Sequence, residues 1–175
     1  VFWGLDAGLA RQRHFPAINW LSSYSLYPQA LDHWYRDNIA SDFPEVRTEI
    51  STLLQVEAEL QEIVQLVGSD ALPIDQQLTL EVARMIREFF LQQNAFHDVD
   101  TYSDLKLQYD MAKAILAFQE EAKKAIAGGA QLEDVVNVPA RTDLMRGRFE
   151  EGYDEKIGEL VSEMGKQISA SMEAN

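Results

Sequence analysis

Two short aromatic stretches hold the side chains best suited to chemistry in this sequence. In His14-Phe15-Pro16-Ala17-Ile18-Asn19-Trp20-Leu21-Ser22-Ser23-Tyr24-Ser25, Phe15 stands before a proline; in Gln92-Gln93-Asn94-Ala95-Phe96, Phe96 stands beside Gln93, Asn94 and Ala95. Two loop aromatics can sandwich a purine, at about 1–3 kcal/mol per stacked base, while neighbouring amides contact its edge. Composition alone favours the opposite assignment, in which both phenylalanines fill core. Tyr24, Tyr27 and Tyr35 are open in the same way between lining a groove and packing inside.

Other chemistries find less support. A phosphate-binding loop needs glycine, four residues, then glycine-lysine and serine or threonine, so that backbone N–H groups cradle the phosphates. The nearest approach, Gly165-Lys166, is followed by Gln167 and has Leu160 in place of the first glycine, so the motif is absent. His14, His33 and His97 show no metal-ligand spacing, and structural roles are expected for all three. Asp98 and Asp100 read as solvated loop charges, and Arg141, Arg146 and Arg148 as a solvated face. With no cysteine, a disulfide framework, a thiolate metal site and a thiol nucleophile are excluded. No catalytic residue and no metal ligand is assigned.

The elements that must position the two stretches are helical. Residues 1–10 are apolar, with Leu5, Leu9 and Ala10 on one face of a short helix; an apolar start without Met suggests a piece of a longer protein. Pro16 makes helix improbable through the first aromatic stretch. A short helix is expected from Pro28 to Ile39. Asp42-Phe43-Pro44-Glu45 looks like a capped helix start, and Val46, Ile50, Leu53, Leu54, Leu60, Ile63, Val64 and Val67 continue at helical spacing to a stop at Gly68. A second helix with Leu78, Val82, Met85, Ile86 and Phe89 inward should form an antiparallel hairpin with the first. Ser103-Asp104 opens a third long helix that ends at Gly128-Gly129. Leu132–Val138 suggests a short helix closed by Pro139, Leu144 and Met145 fall in another, and a stripe from Tyr153 to Met172 marks the last. No alternating strand pattern exceeds a few residues, so the fold class is all-α.

The 175 residues suffice for a domain with a real core, and 46% of them are hydrophobic. Fifteen basic against twenty-nine acidic residues give a formal charge of −14, which repels nucleic-acid phosphates. No apolar run approaches the ~20 residues of a membrane-spanning helix, and no signal-peptide pattern opens the chain.

Phe2-Trp3-Gly4-Leu5-Asp6, Arg13 through Trp20, and Ser23-Tyr24-Ser25 resemble the catalytic A subunit of archaeal/vacuolar-type rotary ATPases. The likeness continues through Leu60-Gln61-Glu62-Ile63-Val64-Gln65-Leu66-Val67-Gly68 and Phe90 to Phe96, and the later helices suit that family's C-terminal region. The resemblance implies that residues 1–40 are the tail end of a nucleotide-binding domain, carrying the Phe-Pro-Ala-Ile-Asn-Trp loop, and that 41–175 form a C-terminal helical bundle. It implies an adenine pocket at Phe15, Gln93, Asn94, Ala95 and Phe96. In the full-length protein that pocket would be served by ATP or ADP with Mg2+; this piece would hold no tightly bound cofactor. The parent would couple ATP hydrolysis or synthesis to proton or sodium translocation, as a cytoplasmic head peripheral to the membrane, and this piece alone would be inactive. Its partners would be a B subunit in an alternating hexameric head and a central stalk met by the Gly68–Gln76 turn. In the related beta subunit of F-type enzymes an acidic tip pushes the rotor; here only Asp70 and Asp75 are acidic, and Leu72 and Pro73 are expected to form an exposed apolar nose. The competing class is a nucleotide-independent helical adaptor, in which Phe15 and Phe96 would lie buried apart.

Overall fold

The computed structural model describes residues 1–173. Its helices follow the apolar periodicity closely, but the chain begins with a small antiparallel sheet. Strand β1 (Phe2–Leu5) pairs with β2 (Ile18–Tyr24), with Leu5 opposite Ile18 and Gly4 opposite Asn19. The first aromatic stretch, expected to be irregular, is therefore partly strand. Its alternation is hidden because the register shifts between Phe2 and Gly4 and Asn19-Trp20-Leu21-Ser22-Ser23 mixes small polar with apolar residues. Between the strands lies α1 (Ala7–Arg11). Asp6 ties the three together: its Oδ1 accepts from the backbone N–H of Gly8 at 2.7 Å, and its Oδ2 from the Asn19 carboxamide at 2.9 Å. Those bonds, led by Asn19, hold the Asp6 carboxyl below its ordinary range.

After α2 (Pro28–Asn38), α3 runs from Phe43 to Val67. Asp42 precedes it but makes no side-chain cap. It accepts instead from the Tyr109 hydroxyl at 2.7 Å and the Lys113 ammonium at 3.0 Å, fastening α3 to α5 (Leu105–Ala127). Glu45 likewise pairs with Arg36 instead of completing a capping box. The Tyr35, Phe43 and Tyr109 rings continue this junction as a stack, with centroids 4.6 and 6.2 Å apart. Tyr24 and Tyr27 stay exposed.

Val46, Ile50, Leu53, Leu54 and Leu60 face the core, but the stripe stops there: Ile63, Leu66 and Val67 are exposed. Gly68, at φ +85°, supplies the left-handed backbone that ends the helix. The turn then closes on itself. Ser69–Ala71 form one 3₁₀ turn, and Leu72 is only 6% exposed while its carbonyl accepts from the Gln77 side chain at 2.8 Å. The expected nose of Leu72 and Pro73 is thus half wrong, because Leu72 packs inward and only Pro73 is exposed.

Helix α4 (Ile74–Met85) packs on α3 and passes directly into a π-helical segment, Ile86–Leu91. Val82, Met85 and Ile86 join Ile115, Phe118 and Ala122 of α5 in the central core. Helix α6 (Leu132–Val136) is short, and Pro139 opens α7 (Pro139–Gly147) instead of closing α6, since a first-turn proline has no N–H to lose. Helix α8 (Tyr153–Glu173) lies along α5. Gly147 lets the α7–α8 joint close: a Cβ there would fall 1.9 Å from the Tyr153 ring, whose hydroxyl donates to the Leu144 carbonyl. Among the described residues, no helix is long and apolar enough to cross a membrane.

Candidate functional site

The chain leaves the π-helical segment at Gln92 and meets the first aromatic stretch at once. The Gln93 N–H donates to the Phe15 carbonyl at 2.7 Å, and the Gln92 carboxamide reaches the Arg13 carbonyl at 3.4 Å. Phe15 and Phe96, far apart in sequence, consequently line one cleft of about 660 Å³ together with Arg13, Pro16, Gln92, Gln93, Asn94, Ala95, Arg148 and Phe149. Phe15 is 51% exposed and Phe96 99% exposed, so neither fills core.

Polar contacts fix this loop in place. Asp100 is buried, and its Oδ2 accepts from the Asn94 N–H at 2.6 Å while its carbonyl accepts from the Gln93 side chain at 2.8 Å. Asn94 Oδ1 accepts from the Phe96 N–H at 3.0 Å, and His97 Nδ1 accepts from Val99 and Asp100. The amides of Gln93 and Asn94 are thus largely spent on shaping the loop. Of the two aspartates read as solvated, Asp98 is exposed; Asp100 is not, because a buried carboxylate is tolerable where backbone and cationic donors surround it.

The π-helical segment is held from both sides. His14, buried beside Trp20, places Nε2 2.9 Å from the Arg87 carbonyl and acts there as the donor. From the α7–α8 joint, Arg148 Nη1 donates to the carbonyls of Glu88 at 2.8 Å and Gln92 at 2.7 Å. Its guanidinium lies 4.7 Å over the Phe149 ring, and its Nε is 3.8 Å from Asp100. Burial pulls the Arg148 guanidinium below its ordinary range, with Asp100 opposing.

The arginine cluster therefore needs correction. Only Arg146 is solvated. Arg141 pairs with Glu81 at 2.7 Å and donates to the Val136 carbonyl, its side chain as buried as that of Arg148. Both donate to part-buried acceptors that lie about sixty positions earlier, which local sequence does not display. The neighbouring Arg148-Phe149, a cation beside an aromatic, was the one available hint. His33, by contrast, is exposed and pairs with Asp37. Among the described residues, no group of three or more His, Cys, Asp or Glu could hold a metal ion.

Residues 32–136 match the family described as the C-terminal domain of V and A type ATP synthase. The chain belongs to that family. Relatives from ATP synthases are similar over nearly its whole length. The A subunit of the A-type ATP synthase of Methanosarcina barkeri is 49% identical over 170 residues, covering 97% of this chain and 29% of the relative. Its counterpart from Natronomonas pharaonis is 54% identical over 167 residues, covering 95% and 28%. The V-type ATP synthase alpha chain 1 of Clostridium tetani is 50% identical over 173 residues, covering 99% and 29%. The chain thus spans less than a third of the length of these ATP synthase proteins. The family match includes the Gln92–Phe96 loop and the α3–α4 hairpin; Phe15 and Arg148 lie outside it but within the stretches shared with the relatives.

Proposed function

We propose that this chain is the C-terminal part of the catalytic A subunit of a V/A-type ATPase/ATP synthase, and that the cleft between Phe15 and Phe96 holds the adenine ring. One observation carries the reading: two phenylalanines from distant segments stand exposed on one mostly apolar cleft, locked together by the Gln93–Phe15 backbone bond. An exposed aromatic at Phe96 is unfavourable in water unless something covers it. The volume suits a small-molecule site. Phe15 and Phe96 would bind the flat base by stacking, while the Asp100 network keeps the loop rigid so that little ordering entropy opposes binding. A bound nucleotide would bring its phosphates and Mg2+; this chain has no phosphate-binding loop for them, so hydrolysis falls to groups outside these residues and the chain alone is inactive.

On this reading, residues 1–40 close the nucleotide-binding domain and residues 41–175 form the bundle that passes its movement on. A B subunit in an alternating hexameric head and a central stalk are the partners, the stalk meeting the α3–α4 hairpin. The head sits at the cytoplasmic side of a membrane sector that moves protons or sodium ions. Phe15→Ala and Phe96→Ala in the full-length protein should each weaken ADP binding by about 1–3 kcal/mol. Equilibrium titration with ADP checks this, and undiminished affinity in both variants refutes the pocket.

A further inference from the structure

The geometry points to Arg148 as a positioning residue of this cleft, a side chain from the α7–α8 joint that sets the shape of the loop carrying Phe96. The inference rests on the reading of the cleft as an adenine site. A helix end leaves its last carbonyls without intrahelical donors, and a π-helical turn is often a functional feature. Here two side chains from elsewhere reach carbonyls of the Ile86–Leu91 segment and of Gln92 just after it, one of them, that of Arg87, already accepting the Gln92 N–H at 2.9 Å. His14 of the N-terminal arm takes Arg87, and Arg148 takes Glu88 and Gln92.

Arg148 does more than cap. Its planar group stacks on Phe149, itself a wall of the cleft, and its Nε lies on the Asp100 side, whose carboxylate holds the Asn94 N–H. One guanidinium thereby bonds the helix end where the loop begins, sets its charge 3.8 Å from the carboxylate at the loop's middle and covers an aromatic ring that lines the cleft. Lysine has no planar fork to make these contacts at once. Arg141 provides an internal comparison: an equally buried arginine with an equally distant partner, but absent from the cleft.

The test compares Arg148→Met, Arg148→Lys and Arg141→Met in the full-length protein, with Phe15→Ala and Phe96→Ala measured alongside. Melting temperature is recorded first, and ADP titrations are run where every variant is folded. Both Met variants should melt lower. Only the change at 148 should weaken ADP binding, by about tenfold, the effect of losing one charge-assisted hydrogen bond; Arg148→Lys should recover melting temperature more than affinity. In the assembled enzyme KM for ATP should rise with kcat nearly kept. Wild-type ADP affinity in folded Arg148→Met, with Phe96→Ala weakened, overturns the role of Arg148 alone. Wild-type affinity in Phe96→Ala and Phe15→Ala overturns the adenine reading instead. Should Arg148→Met not fold, Arg148→Lys decides: unchanged ADP affinity there defeats the proposal.

Discussion

Two connections in this molecule contain apolar residues between helices, and they treat them in opposite ways. Between α3 and α4, residues 68–73 turn once and drive Leu72 into the protein. Between the π-helical segment and α5, residues 92–104 wind through a network of buried polar contacts and leave Phe96 fully in solvent. The first turn has few polar fixings, so its one large apolar side chain is better placed inside. The second is held by Asp100, His97 and Arg148, and can therefore keep an aromatic outside at no loss of order. On the proposed reading, the rigid polar frame of the second connection withholds Phe96 from the core so that it can meet a ligand.

That contrast breaks first on stability. Leu72→Ala should cost about 2–5 kcal/mol, the usual range for emptying a buried leucine site. Phe96→Ala removes a side chain that touches solvent and should change stability by no more than about 0.5 kcal/mol. Denaturant unfolding of the two variants decides the matter; equal losses would show that the connections do not differ as described.

The two ends of α3 sharpen the same comparison at smaller scale, since its start is tied by charge and its end is bare. Tyr109→Phe removes the hydroxyl that donates to Asp42. With that carboxylate 41% exposed, the loss should be about 1 kcal/mol, below the full value of a hydrogen bond to a charge. The Tyr109 and Lys113 donors hold the Asp42 carboxyl below its ordinary range. A depressed folded value adds stability above the unfolded pKa and loses it as pH falls through the folded one. Wild type and variant should therefore converge as the solution is acidified below about pH 4. In the alkaline direction the Tyr109 hydroxyl, pushed up to about 12 by burial and then by Asp42, stays protonated and the bond persists. A difference that stays constant down to about pH 2 would remove Asp42 as its cause.

Helices and their inward faces were legible because apolar spacing is local: Leu78, Val82, Met85, Ile86 and Phe89 are buried as their periodicity demands. The cleft was not legible in this way: composition alone favoured burying Phe15 and Phe96, which are exposed, and only the family resemblance joined them. What local pattern could not show was partnership across distance. Asp42 has the sequence of a helix cap yet serves Tyr109, and Arg148 has the sequence of a surface residue yet closes a helix end far upstream. The β1–β2 pairing was hidden for the same reason, since a short strand is recognised by its partner more than by its own alternation. Pro139 was legible as punctuation, but opening and closing a helix look alike when two helices nearly touch in sequence.

The smallest effect concerns the tip itself. With Leu72 inside, the apolar surface at the hairpin end is Leu66, at 85% exposed, with Ile63 and Val67 on the last turns of α3 and Ile74 at the start of α4. These residues share one end of the hairpin, where the Gly68–Gln76 turn itself carries Asp70 and Asp75 as its acids. A contact made there with a stalk would act through shape and burial, with Leu66 and Val67 in the place expected for Leu72. Replacing both with serine removes no buried side chain, so stability should move by less than about 0.5 kcal/mol and ADP affinity not at all. If the hairpin meets a stalk as proposed, docking of that stalk to the assembled head should weaken measurably, since apolar contact on the order of a few hundred square ångströms would be lost there. Retained docking with both residues replaced would leave the hairpin end a bare surface feature and remove the transmission role from α3.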